Sequence, residues 1–534
     1  MLIEGDYFEL KQPRPPFWQR RFTSIKPSLS EIRDLFQRIG EDARIEGVVL
    51  HLRKLSMPRA RLQTLRDLIM LLREDGKHVV AWATNYDAAS YYVASSANEV
   101  LLQKGGAIAP LGFSGDFLFL ADALKRFGIK ADFLQVSPYK SAMDMFERSG
   151  MSDEVREMVG WLMDETHEQL LSAVGSGRGV DKRKARLLVD QSPYTDVRAC
   201  EKGVVDAIVS EENLPDHLAR DGNPARLATW EKAVRCLPSK PPPSPGAHVA
   251  LIRIEGNIVD GRSRQPPLRP PLPLPYVTSS RAGDLSVVQQ ARQALKDERI
   301  AAVVVHVDSG GGSATASEAM AAALGKLAEA KPLVVSMGSV AASGGYYVAT
   351  PAKWIVAQPA TVTGSIGVLW GKIVGGGLLD KLGIHSEVIS RGKHSAIYHA
   401  GKPFTKAERN IIQEQLDRTY EVFVERVMAS RSLDAQAMDE IGLGRVWTGS
   451  QAKECGLVDE LGGLDKAIAK ARALGELDER APVMEIRAGK RWLVPVQQQP
   501  ANVLEYASEG LRMFSEGRAL CLCPLTHCSD GDSN

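Results

Sequence analysis

Short runs of β-branched and other apolar residues recur along this chain, and between them apolar residues return at helical spacing. The pattern predicts a strand over Gly47–Leu52, a helix over Arg61–Arg73 and a strand over His78–Ala83. A helix is expected from about Ala88 and a further strand over Ile129–Val136. Another helix is expected over Met151–Leu171, with Ser152 as its N-cap. Strands alternating with helices imply βαβ units, hence an α/β fold with mostly parallel sheets covered on both faces.

The pattern is written twice. DARIEGVVLHL from Asp42 returns as DERIAAVVVHV from Asp297, an offset of 255, and His51 falls on His306. Tyr91-Tyr92-Val93-Ala94 falls on Tyr346-Tyr347-Val348-Ala349, and Gly128-Ile129 on Gly383-Ile384, at the same offset. TDVRACEKGVVD from Thr195 matches TGSQAKECGLVD from Thr448, at 253. Agreement over most of two halves indicates tandem duplication. The expected division is a first copy over residues 1–236, a proline-rich linker over 237–248, a second copy over 249–478 and a partly disordered tail over 479–534. A second proline-rich run, Gln265–Pro275, reads as a surface loop, because so many missing N–H donors do not suit a sheet.

Composition narrows the function. At 534 residues the chain exceeds one ordinary core. A formal charge of +1 gives no global field to attract phosphate, which argues against a nucleic-acid partner. Six cysteines in that length make no disulfide framework. No apolar run reaches the roughly 18 residues of a membrane span, and MLIEGDYFELKQPRPPFW lacks the basic start and apolar core of a secretory signal. The expected setting is therefore the cytoplasm or a membrane surface.

Candidate chemistry centres on Met337–Thr350, MGSVAASGGYYVAT, where small residues crowd around one hydroxyl, Ser343, with Gly344 and Gly345 behind it. A strand ending in such a turn and opening a helix holds a side chain at a fixed angle. The next backbone N–H then points into the same space, as half of an oxyanion hole. At the repeat offset Ser343 corresponds to Ala88, and Gly310-Gly311-Gly312 to Leu55-Ser56-Met57. The hydroxyl and the glycine run are present together in one copy and absent together from the other, which favours a shared chemical role. A serine nucleophile also needs a base. His306 has its twin in the copy without the serine, and His385 and His394 have no evident carboxylate partner. The remaining option is a lysine with a pKa lowered by burial, such as Lys140 in VSPYKSAMDMF.

SMGSVAASGGYYVATPAKWIVAQPATVTGSIGV from Ser336 and SPYKSAMDMF from Ser137 resemble signal peptide peptidase A in its long, tandem-domain form, within the caseinolytic protease/crotonase superfamily. The resemblance extends from about Ser30 to Gly475. It implies a crotonase-like fold in tandem and a Ser–Lys dyad with Ser343 as nucleophile and Lys140 as general base. It also implies that Ser365 orients the lysine, and that the N–H groups of Gly344 and of Gly311 or Gly312 form the oxyanion hole. The implied activity is hydrolysis of short apolar peptides such as cleaved signal peptides, with no metal or organic cofactor. The implied assembly is a ring-like homo-oligomer, a tetramer being the expected count. Lys393 and His394 fall where the second copy would place its counterpart of Lys140, so Lys393 is the rival base. The chain departs from the family at Ser309-Gly310-Gly311-Gly312, where Ser-Pro-Gly-Gly is usual, and in having no N-terminal membrane anchor. With the nucleophile in one copy and the lysine in the other, the site is expected at the contact between copies.

The sequence also admits two other readings: a crotonase-like acyl-CoA enzyme using the same oxyanion hole, and a catalytically silent scaffold. In the tail, Cys521, Cys523, His527 and Cys528 are possible zinc ligands in a spacing that matches no common site. The alternatives there are a disordered tail, peripheral membrane contact, or binding in the chain's own groove.

Overall fold

The structure is a computed structural model that describes residues 1–12, 27–238, 246–266, 279–486, 506, 508 and 519–523. Most of the linker 237–248, most of Gln265–Pro275, nearly all of residues 503–514, which the sequence alone suggests as an amphipathic stretch, and His527 and Cys528 lie outside the described residues. The chain forms two compact units, Met1–Gly115 with Met163–Pro242, and Asp116–Leu162 with Pro243–Cys528.

The first unit is built on a six-stranded sheet. Leu2–Gly5, Gly47–Leu55, His78–Tyr86 and Glu99–Ile108 run parallel in that order. Tyr194–Thr195 and Ala207–Ile208 both pair with Glu99–Ile108, the former antiparallel. The helix Leu29–Glu41 starts at a reciprocal Ser28/Glu31 cap and buries Leu29, Ile32, Phe36 and Ile39, one face at helical spacing. The expected helices at Arg61 and Ala88 are present as Arg59–Glu74 and Ala88–Ala94.

In the second unit the larger sheet follows the same plan. Val483–Glu485, His248–Glu255, Ile300–Ser309 and Leu333–Ala342 are parallel neighbours, continued by Val362–Gly364 and an antiparallel Val446–Thr448. Trp354–Ala357 also pairs with Leu333–Ala342. Val303, Val304, Val305, Leu333, Val334 and Val335 are all fully buried. Both faces of these strands are covered, so they read as continuous apolar runs rather than alternating ones. A second sheet of six strands runs in the order Arg281–Gly283, Asn257–Val259, Gly311–Ser313, Leu520–Leu522, Leu369–Val374, Lys130–Gln135.

The compact units do not follow the boundary of the repeat. Asp116–Leu162, assigned by sequence to the first copy, belongs to the second unit. The cause is strand pairing: Lys130–Gln135 lies antiparallel to Leu369–Val374 over six register pairs. Asp132, buried on that strand, accepts from Phe404 N–H at 2.7 Å and pairs with Arg409. In the tail, Val483–Glu485 and Leu520–Leu522 are sheet strands. Among the described residues no helix is long and apolar enough to cross a membrane.

Candidate active site

Ser343 follows the strand Leu333–Ala342 and caps the short helix Gly344–Tyr347 with φ 55° and ψ −115°. Positive φ is uncommon for a residue with a Cβ and costs of order 1–3 kcal/mol. It persists because the surroundings fix it. Ser343 N–H donates to Gly364 O at 2.8 Å, and Tyr347 N–H donates to Ser343 O at 2.8 Å. Beyond the helix, Tyr347 OH donates to Glu318 at 2.6 Å, and Arg426 Nε holds the same carboxylate at 2.5 Å. The crowding of small residues is explained by contact. A Cβ on Gly345 would lie 2.3 Å from Ser309 O, and one on Gly344 would lie 2.7 Å from Ser317 Oγ and 3.2 Å from Gly312 N.

Lys140 reaches this serine from the turn after Lys130–Gln135. Val136 N–H donates to Val368 O at 3.1 Å and Lys140 N–H to Ser137 O at 3.0 Å, while Ser137 Oγ donates to Leu443 O. The turn sits directly on Gly444, where a Cβ would come within 2.7 Å of Lys140 Cβ and φ is +87°. Only glycine suits both conditions. Trp161 stacks on Trp447 at 5.0 Å and donates to Val446 O at 2.9 Å, bracing the other side.

Lys140 and Ser343 are both wholly buried, and Nζ lies 2.6 Å from Ser343 Oγ. Nζ also donates to Ser365 O at 2.8 Å and to Ser365 Oγ at 2.9 Å. Ser365, at φ 51°, is held by its N–H on Arg445 O at 2.6 Å. Burial pulls the Lys140 ammonium from 10.5 down to about 8, with Cys521 and Cys523 acting in the opposite direction. A buried amine cannot keep the hydration that stabilises its charge, and no carboxylate is among the groups acting on it.

Gly311 and Gly312 have φ of +102° and +155°, and Gly311 Cα lies close to Gly344. Gly311 N–H donates to Ser309 Oγ at 3.1 Å, which leaves Gly312 N–H as the better placed of the two to act with Gly344 N–H. The strand Leu520–Leu522 runs antiparallel to Gly311–Ser313 and pairs Cys521 with Gly312. Burial pushes the Cys521 thiol up to about 11, while Lys140 and a hydrogen bond with Ser343 pull it the other way.

The structure thus brings together Ser343, Lys140, Ser365, Gly344, Gly311 and Gly312 within one compact unit, although Lys140 comes from the first sequence copy and the others from the second. Lys393 and His394 are exposed, as is His385. His306 is buried in Ile300–Ser309. The tail strand was missed, although Ala-Leu-Cys-Leu-Cys over 519–523 is a short apolar run of the kind that marks a buried strand.

Sequence comparisons identify relatives of this chain. The sequence profile of Peptidase family S49 matches residues 72–223, which include Lys140, and again 325–478, which include Ser343 and Ser365. "Serine protease SPPA, chloroplastic" of Arabidopsis thaliana is 29% identical over 86% of this chain and 68% of its own length. "Protease 4" of Salmonella typhi is 29% identical over 91% of this chain and 76% of its own. "Protease 4" of Haemophilus influenzae is 30% identical over 84% and 73%. The resemblance to signal peptide peptidase A, read from the motifs around Ser343 and Lys140, is borne out.

Proposed function

This chain belongs to peptidase family S49, and from that membership we propose that it is a serine endopeptidase working through a Ser–Lys dyad on short, unstructured apolar peptides, cleaved signal peptides among them. The observation that carries the proposal is the buried contact of 2.6 Å between Lys140 Nζ and Ser343 Oγ.

A neutral amine has two N–H donors and one lone pair. Directing the donors at Ser365 O and Ser365 Oγ turns the lone pair toward the Ser343 hydroxyl. As Ser343 Oγ attacks the peptide carbonyl carbon, its proton passes to Lys140. Negative charge then forms on the carbonyl oxygen, where Gly344 N–H and Gly312 N–H are the donors to receive it. Lys140 returns the proton to the departing amine as the C–N bond breaks, leaving an ester on Ser343. Water, deprotonated by the same lysine, hydrolyses that ester and restores the serine.

The desolvated setting supports Lys140 as the base, since burial disfavours its ammonium, whereas Lys393 is exposed. The test is hydrolysis of a fluorogenic apolar peptide by Ser343→Ala and Lys140→Ala. Each is expected to lose about 10³-fold or more in kcat/KM, and normal turnover by either variant would refute the assignment. The family resemblance also supports a ring-like homotetramer. Sedimentation at micromolar concentration tests this, and a monomer would overturn it.

A further inference from the structure

The second sheet of the catalytic unit is completed by the chain's own tail. Leu520–Leu522 lies between Gly311–Ser313 and Leu369–Val374, antiparallel to both. Cys523 N–H donates to Gly310 O at 2.8 Å, and Ala314 N–H to Ala519 O at 3.1 Å. In an antiparallel ladder directly bonded pairs alternate, so the pair between these two is Gly312 with Cys521. The Cys521 carbonyl therefore takes the N–H that a substrate carbonyl would use. It also lies 1.8 Å from where a Gly311 Cβ would be, a position itself 2.8 Å from Gly344 N.

Side chains alternate accordingly. Leu520 and Leu522 pack with Ala131, Phe133, Ala142, Met143 and Leu369, whereas Cys521 is turned to Ser343. Residues 520–523 are at most 1% exposed. Without this strand, Gly311–Ser313 and Leu369–Val374 would face each other across one vacant strand position, each with an unpaired edge. Such a slot binds an extended peptide by completing the sheet.

We infer that Ala519–Cys523 is a resident occupant of the peptide-binding slot, seated as a substrate strand is seated, which an incoming peptide must displace. This rests on the reading of Ser343 and Lys140 as the catalytic pair. It adds that the intact chain is restrained by its own tail, and that preferred substrates carry a small residue toward Ser343 between two leucine-sized neighbours.

The experiment follows thiol alkylation by N-ethylmaleimide in full-length Ser343→Ala protein, with each cysteine resolved by mass spectrometry. The competitor is a capped peptide, Arg-Ala-Leu-Ala-Leu-Ala-Pro, which is the tail's sequence with alanine for each cysteine. Exposed Cys236 serves as the internal reference. Cys521 is expected to react at least 100-fold more slowly than Cys236, and at least tenfold faster once the peptide is saturating. Equal rates for the two thiols without peptide would overturn the inference, as would unchanged protection of Cys521 at saturation. Release of Cys521 supports it even if the wild-type enzyme cleaves no peptide, a result that would count against the catalytic reading alone. In the intact wild-type background, Leu522→Asp is expected to raise kcat/KM for a fluorogenic peptide about tenfold, chiefly through a lower KM.

Discussion

With Lys140 as the proposed base, the pH dependence of turnover follows from its burial. With a pKa of 10.5 a lysine is neutral at pH 7 in about 3 molecules in 10⁴, and at about 8 it is neutral in about one in ten. Burial therefore raises the population of competent base roughly 300-fold, and disfavours the ammonium by about 3 kcal/mol. The assay is kcat/KM for a fluorogenic apolar peptide between pH 6 and 10.5, which reports groups in the free enzyme. The expected profile rises tenfold per pH unit, bends near pH 8 and is flat above it. An inflection at pH 10 or higher, or no rising limb, would show that the amine is not the desolvated group described here and would refute the reasoning.

Three further outcomes are expected. Between about pH 8 and 10.5 the unfolded chain binds more protons than the native one at Lys140, so this group makes stability increase with pH across that window. Lys140→Met should remove that dependence and stabilise the fold by up to about 3 kcal/mol at pH 7, measured by urea unfolding at both ends of the range. Ser365→Ala keeps the lysine's 2.8 Å contact with the Ser365 carbonyl but loses the 2.9 Å contact with its hydroxyl. It should lower kcat by about 10–100-fold with KM little changed, and an unchanged kcat would deny Ser365 an orienting role. Arg409→Ala strands the buried Asp132 carboxylate on the strand that leads to Lys140, and should cost about 3–5 kcal/mol in thermal unfolding. A loss under 1 kcal/mol would mean that this pair does not anchor the strand.

Much of this was legible in the chain itself. Val303–Val305 and Leu333–Val335 announce central strands because a parallel sheet covered on both faces needs apolar residues at successive positions. Ser343 was legible from the small residues around it, since Gly344 and Gly345 are spaces that other backbone and side-chain atoms fill. Lys140 was legible only through family resemblance, because a lone lysine carries no local sign of burial. Its desolvation comes from Gly444, Ser365 and the tail, all more than 200 positions away in sequence. The repeat alone did not show that the segment carrying Lys140 packs with the second copy. Internal homology records where a segment came from, whereas the pairing of Lys130–Gln135 with Leu369–Val374 decides where it packs. The tail strand was hidden for a related reason: five apolar residues become a strand only where two open sheet edges receive them.

The central claim is that the Lys140 amine, and no other base, activates the Ser343 hydroxyl. Covalent labelling tests it most directly: a serine-directed acylating probe at pH 8, with the adduct mapped by mass spectrometry in the wild type, Lys140→Ala and Lys393→Ala. An adduct on Ser343 is expected in the wild type and Lys393→Ala, and essentially none in Lys140→Ala. Equal labelling of Ser343 with and without Lys140, or an adduct on a different serine, would contradict it.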